Sequence, residues 1–215
     1  IRTYLERDIP QLGPRIPAST LERFWVMLAH DQGGTMNASK IAANLNVSSV
    51  TIGRYTDLFV DLLLVRKLQP YSPNVKKRVV KSPRLYVRDS GITHALLNVG
   101  SYNDLLGHPV VGKSWEGFVI ENIAAYLPPQ ARLYYYRTAR GAEIDLLIEF
   151  SLDEIWAIEI KRGTQATPSK GFYEACEDIG PTRKYVVHAG TDRFPLQHEI
   201  EAVPLDQLIR QVQSR

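Results

Sequence analysis

Arg140-Gly-Ala-Glu-Ile-Asp145-Leu-Leu-Ile-Glu-Phe150, followed closely by Ile155-Trp-Ala-Ile-Glu159-Ile-Lys161, decides how this chain folds. Residues two apart on a strand share a face. Ile144, Leu146, Ile148 and Phe150 therefore form one apolar face, with Asp145 on the other. In the second stretch Ile158 and Ile160 turn towards a core, and Glu159 and Lys161 point together the opposite way. A hairpin through Ser151-Leu-Asp-Glu154 would bring Asp145 beside Glu159. Two reads of that juxtaposition stand: a divalent-metal site with a cationic helper, or a solvated sheet face with cross-strand ion pairs.

A chain of 215 residues makes one large domain or two small ones. Its 44% hydrophobic and 23% charged composition is that of a globular protein with a real core. The single cysteine, Cys176, excludes an internal disulfide and fits a reducing, cytoplasmic setting. No signal peptide opens the sequence, and no apolar run approaches the roughly 20 residues that span a bilayer, so no membrane partner is expected. The chain opens at Ile1 without a methionine, which reads as a segment of a longer protein. His30, His94, His108, His188 and His198 are scattered without ligand spacing, and zinc is not expected.

The net charge of +3 conceals a basic stretch. Between Arg66 and Arg88 stand Arg66, Lys67, Lys76, Lys77, Arg78, Lys81, Arg84 and Arg88, with no acidic residue. That local patch, rather than a basic protein, needs a partner.

Residues 1–18 read as a lead-in helix and linker, interrupted by Pro10, Pro14 and Pro17. Residues 19–90 read as a winged helix-turn-helix. Ser19 or Thr20 caps a helix from Leu21 to about His30, stopped by Gly33-Gly34. Asn37 caps a second helix, Asn46 takes the turn position that favours positive φ, and Ser48 caps a third running to about Leu64. Two strands follow, Leu64 to Pro70 and Arg78 to Val87, joined at Ser72-Pro-Asn74 with Lys76, Lys77 and Arg78 in or beside the wing. Arg54, Lys76, Lys77, Arg78 and Lys81 are the candidate DNA contacts here, phosphate contact by the wing foremost. The third helix carries Arg54 as its one cation, with Asp57 and Asp61 further along, so docking of a protein partner is the rival use of this module.

Residues 91–112 form a connecting segment. Gly107-His-Pro-Val-Val-Gly112-Lys113-Ser114 fits G-x-x-x-x-G-K-[ST] letter by letter, yet no buried strand feeds it, and we read it as coincidence. Residues 113–215 follow the order α-β-β-β-α-β on a central mixed sheet, giving an α+β or α/β class overall. A helix runs from Lys113 to Tyr126, strands cover 132–137 and the two opening stretches, a helix runs from Ser169 to Ile179, and a strand covers 184–188. Glu199 to Val203 and Leu205 to Val212 add a last strand and helix.

An acidic helix residue (Glu116, or Glu121), Ala142-Glu-Ile-Asp145-Leu-Leu and Ile158-Glu159-Ile-Lys161, in that order, resemble the PD-(D/E)xK phosphodiesterase superfamily of restriction endonucleases, Holliday-junction resolvases and RecB-like nucleases. Tyr4-Leu-Glu-Arg-Asp-Ile9, Lys81-Ser-Pro-Arg-Leu-Tyr-Val-Arg-Asp-Ser-Gly91 and Lys113-Ser-Trp-Glu-Gly-Phe-Val-Ile-Glu121 extend the resemblance. They look like the C-terminal region of a prokaryotic family in which an AAA-type ATPase module precedes a winged helix and a nuclease-like domain of unknown function. The resemblance implies a metal-dependent DNA nuclease. Asp145, Glu159 and Glu116 would hold Mg²⁺ or Mn²⁺, the Ile160 carbonyl would complete the shell, and Lys161 would serve the attacking water. Arg137 and Arg140 would hold phosphate, and Glu143 shares the Asp145 face. ATP would be handled only by the upstream module, the expected partner in the same polypeptide. The alternative it leaves open is the same fold kept as a non-catalytic DNA- or protein-binding accessory module.

Overall fold

Asn37 and Ser48 fix the first helix boundaries, because each side-chain oxygen satisfies an amide that the helix itself leaves without a partner. In the computed structural model, which describes residues 1–11, 16–72 and 78–215, Asn37 accepts from Lys40 N at 3.0 Å and Ser48 from Thr51 N at 3.1 Å. The chain divides into two compact units, Ile1–Lys67 with Leu85–Gly117 and Leu68–Arg84 with Phe118–Arg215.

The first unit opens with a π-helical turn, Tyr4–Asp8, running into α1 (Ile9–Gln11). Three helices follow, α2 (Ala18–His30), α3 (Ala38–Leu45) and α4 (Ser49–Asp61). Helix α2 starts after Pro17 rather than at a Ser19 or Thr20 cap, since proline pre-sets the entry geometry and needs no amide partner. Asn46 sits at φ 53°, as its turn position requires. Leu21, Phe24, Trp25 and Leu28 of α2 meet Ile52, Tyr55 and Phe59 of α4 in one buried cluster. Within it the Phe24 ring packs tilted on Phe59, with centroids 5.3 Å apart. Helix α4 ends at Asp61, short of the expected Leu64, because Leu63 turns to φ 58°. Strand β1 (Val65–Pro70) begins in this unit, and β2 (Arg84–Val87) ends in it, with Arg88 N donating to Leu64 O at 3.0 Å. Helices α5 (Ser90–Leu96), capped by Asp89, and α6 (Tyr102–Gly107) lead into α7 (Val111–Ala124).

The second wing strand is shorter than the sequence suggests: β2 starts at Arg84, and before it Val79 makes one isolated antiparallel bridge to Thr138. Pro83, which has no amide N–H to donate, interrupts the ladder just before Arg84. The expected turn at Ser72-Pro-Asn74, with Lys76 and Lys77, falls largely outside the described residues.

The second unit is a mixed sheet with helices. Its strands after β1 are β3 (Arg132–Arg137), β4 (Glu143–Ser151), β5 (Glu154–Ile160), β6 (Arg183–His188), β7 (Phe194–Pro195) and β8 (Ile200–Pro204), in the spatial order β1-β3-β4-β5-β6-β8-β7. Pairs β3–β4, β4–β5 and β7–β8 are antiparallel; β1–β3, β5–β6 and β6–β8 are parallel. Helix α8 (Lys170–Ile179) makes the crossover between β5 and β6, and α9 (Leu205–Gln213) closes the chain. Strands β4 and β5 are buried on both faces: Ile144, Leu146, Leu147, Ile148, Ala157 and Ile158 are all 0% exposed. Phe172, Ala175 and Cys176 of α8 share a cluster with Leu147 and Ala157. Burial also pushes the Cys176 thiol up to about 12, so it stays a protonated core group at neutral pH. Leu147 and Ala157 of the face carrying Asp145 and Glu159 are therefore covered, while Glu143, Asp145 and Lys161 stay part-exposed and ion-paired.

Candidate active site

The β4–β5 ladder pairs Leu146 with Ile158 and Leu147 with Ala157. Continued by one residue, that register sets Asp145 opposite Glu159, as the hairpin reading required. Asp145 Oδ2 accepts from Ile160 N at 3.0 Å, a bond that ties the carboxylate to the next strand. Glu159, 5% exposed, accepts from Ser169 N through both oxygens, at 3.2 and 2.9 Å. Ser169 is the N-cap of α8, its hydroxyl accepting from Phe172 N, so Glu159 anchors the point where the crossover helix begins. Lys161 Nζ lies 2.7 Å from Glu159 Oε1. Gly171 matters here. A Cβ there would stand 2.5 Å from the Gly141 carbonyl oxygen, so only glycine lets α8 lie this close to the turn that starts β4.

Sequence reasoning missed Arg84 as a member of this group, reading it as one more charge of the basic stretch. Arg84 as a whole residue is 1% exposed. Nη2 pairs with Glu143 Oε1, and Nη1 stands 3.8 Å from Asp145 Oδ1. The Tyr135 ring lies under the guanidinium, 4.6 Å from Cζ, and its hydroxyl donates to Ser82 O at 2.5 Å. Burial pushes the Tyr135 phenol up, against the opposing pull of Arg84. Glu143, which shares the Asp145 face, is a partner of Arg84 and lies 3.6 Å from Arg137 Nε. The one signal available was position: Arg84 opens a strand whose next residues, Leu-Tyr-Val, are all core-forming.

Of the two helical candidates Glu116 is buried, 5% exposed, and Glu121 is half-buried. Glu116 lies in the first unit, where Tyr86 Oη donates to Oε1 at 2.6 Å and Lys113 Nζ to Oε2 at 2.5 Å. Asp145, Glu159 and Lys161 lie in the second. The P-loop-like stretch is no phosphate cradle. Helix α6, not a strand, precedes it, Lys113 is paired with Glu116, and Ser114 Oγ is 2.7 Å from His94 Nε2.

Arg54, Arg78, Lys81 and Arg140 are exposed, on α4, before the Val79 bridge, before β2 and in the β3–β4 turn respectively. Lys67 pairs with Asp57 at 3.1 Å. Among the described residues no group of three or more His, Cys, Asp or Glu is placed to hold a metal ion. The opposed pair Asp145 and Glu159 is still a hard-oxygen donor set of the kind that suits Mg²⁺, which commonly keeps several waters and takes one or two protein carboxylates. Among the described residues no helix is long and apolar enough to cross a membrane.

Two family models each match part of this chain. A domain of unknown function (DUF8612) matches residues 1–103, and a domain of unknown function (DUF4143) matches residues 111–208. The particular relatives are Uncharacterized protein Rv2008c of Mycobacterium tuberculosis and Uncharacterized protein Mb2031c of Mycobacterium bovis. Each is 43% identical over 209 residues, 97% of this chain and 47% of the relative. The chain thus spans about half the length of the curated relatives it matches. Among solved structures, an assembly of Thermococcus gammatolerans McrB AAA+ hexamers with bound McrC covers 93% of this chain and 77% of its own at 9% identity. Its TM-score of 0.36 is too low to carry an argument.

Proposed function

We propose that the second unit is a metal-dependent phosphodiesterase acting on DNA, of the PD-(D/E)xK type that its motifs resemble. The observation that carries this reading is the register opposing Asp145 and Glu159, with Lys161 at 2.7 Å from Glu159. Asp145 and Glu159 would hold Mg²⁺ or Mn²⁺, which when bound polarises a phosphodiester and acidifies a water. Lys161 orients that water and offsets charge growing on the phosphate. Glu116 is assigned by resemblance to a second ligand role, with Glu121 the alternative. The helices α3 and α4 with β1 and β2 are read as a winged helix, which brings duplex DNA to the domain through Arg54, Arg78 and Lys81, and through Lys76 and Lys77 outside the described residues. Arg140 and Arg137 would meet phosphate nearer the reaction. The resemblance also implies an upstream ATPase module as partner, and ATP would be handled there.

One observation favours a second reading, a non-catalytic DNA- or protein-binding accessory module. The Arg84 guanidinium already stands beside Asp145 and Glu143, where it satisfies acidic charge without a metal. A cleavage assay separates the two. Single-stranded, duplex and branched DNA are incubated with Mn²⁺ or Mg²⁺ and wild type, Asp145→Asn or Lys161→Ala. Metal-dependent cleavage lost in both variants supports the first reading; no cleavage by wild type on any substrate, with DNA still bound, establishes the second.

A further inference from the structure

Arg84 has a role that the motif does not assign. Glu143 and Asp145 lie two apart on β4 and share a face; the guanidinium hydrogen-bonds Glu143 through Nη2 and sets Nη1 3.8 Å from Asp145. Its place is held by stacking on Tyr135, itself tied to Ser82. Asp145 Oδ2 thus accepts a hydrogen bond from Ile160 N at 3.0 Å, while Oδ1 faces Arg84 Nη1 at an ion-pair distance of 3.8 Å. An arginine cannot step aside by losing its proton. Any divalent ion that binds Asp145 must share that carboxylate with a fixed positive charge.

We propose that Arg84 is a positioning residue that holds Asp145 and competes with a divalent cation for it. The inference rests on the metal site of the phosphodiesterase reading, but not on cleavage. Metal loading in the free protein is then weak, and an incoming phosphodiester, whose negative charge offsets the guanidinium, strengthens it. The two bind together rather than in turn. Arg84 sets that coupling through Asp145 and need not touch the substrate.

Mn²⁺ titrated into the full chain, followed by electron paramagnetic resonance or calorimetry, tests this directly. A unit charge about 4 Å away at an effective dielectric near 20 is a large term, so Arg84→Met should bind Mn²⁺ at least about tenfold more tightly than wild type, while its Tm falls. Arg84→Lys, which keeps the charge, should stay near wild-type affinity. Where Arg84→Met fails to fold, the pair Arg84→Met with Glu143→Gln removes the cation and one carboxylate together and carries the same expectation. Adding Asp145→Asn should abolish the gain. A merely structural arginine would let stability and affinity fall together. The inference is overturned if neither variant gains affinity, if the gain survives Asp145→Asn, or if no form of the chain binds Mn²⁺. Tighter Mn²⁺ binding without cleavage anywhere sinks the phosphodiesterase reading and leaves Arg84 in its role. Metal-dependent cleavage with unmoved affinity does the reverse.

Discussion

Ser169 N donates to both carboxylate oxygens of Glu159, at 3.2 and 2.9 Å, so a candidate metal ligand also holds the start of α8. Glu159→Ala should cost about 2 kcal/mol, since it leaves the Ser169 amide without its carboxylate acceptor. Glu159→Gln keeps an acceptor oxygen and should cost under about 1 kcal/mol, while on the proposed phosphodiesterase reading it should remove cleavage. Urea unfolding of both variants checks the difference. Equal losses would mean that the charge, not the hydrogen bond, anchors the helix.

Lys161 separates chemistry from folding more cleanly. Its side chain is 33% exposed, and its pair with Glu159 is partly screened by solvent. Lys161→Met should therefore change stability by no more than about 1 kcal/mol. Its removal should lower cleavage by at least about 100-fold if it serves the transition state. Single-turnover rates with a stability measurement on the same protein decide the point.

What the sequence made legible is what alternation and capping encode. Asn37 and Ser48 announce their helices because one side-chain oxygen does the work locally. The β4–β5 hairpin was legible because its polar residues fall two apart. Burial of Leu147 and Ala157 on the Asp145 face was not, since they are covered by α8, a partner distant in sequence. Arg84 was hidden for a related reason: a buried guanidinium looks like any other in a basic stretch until its counter-charges, 59 and 61 residues on at Glu143 and Asp145, are seen. The short strand β7 has only Phe194 and Pro195, too few residues for any periodic signal.

The proposed DNA contact by α4 and the segment before β2 would carry a salt signature. Arg54, Arg78 and Lys81 are exposed. Each one that neutralises a phosphate should, on replacement by alanine, lower the slope of log affinity against log salt by about 0.9 and weaken binding alike across sequences. Fluorescence anisotropy at several salt concentrations reads this. Unchanged slopes for all three would assign the surface to a protein partner.

His94 gives the first unit a pH dependence. Burial holds its pKa below the ordinary 6.5, with Asp89 pulling upward and His108 adding to the depression. The ring also lies 2.7 Å from Ser114 Oγ. A histidine depressed on folding binds its proton more readily when unfolded. Its contribution is therefore whole above about pH 6.5 and is lost as pH falls from there towards the folded-state value. The stability difference between wild type and His94→Gln, followed from pH 8 to pH 5 by urea titration, should shrink on the acid side. A difference independent of pH would mean that the neutral ring gains nothing from its site.

Leu63 offers the clearest stabilising change. It holds φ 58° just past α4, is 68% exposed, and donates to Val60 O at 3.0 Å while Leu64 donates to Phe59 O at 2.9 Å. Those bonds close the helix end, and they require the left-handed turn that glycine adopts without a Cβ penalty. A leucine there costs roughly 1–2 kcal/mol, against roughly 0.5–1 kcal/mol of extra chain entropy for glycine. Leu63→Gly should thus stabilise by about 0.5–1 kcal/mol, whereas Leu63→Ala, which keeps the Cβ, should not. Asn46 is the internal comparison: it stands at φ 53° already and tolerates it better than most residues, so Asn46→Gly should gain less. Thermal unfolding of the three variants orders them. A loss at Leu63→Gly would show that the exposed leucine contributes packing worth more than its backbone strain.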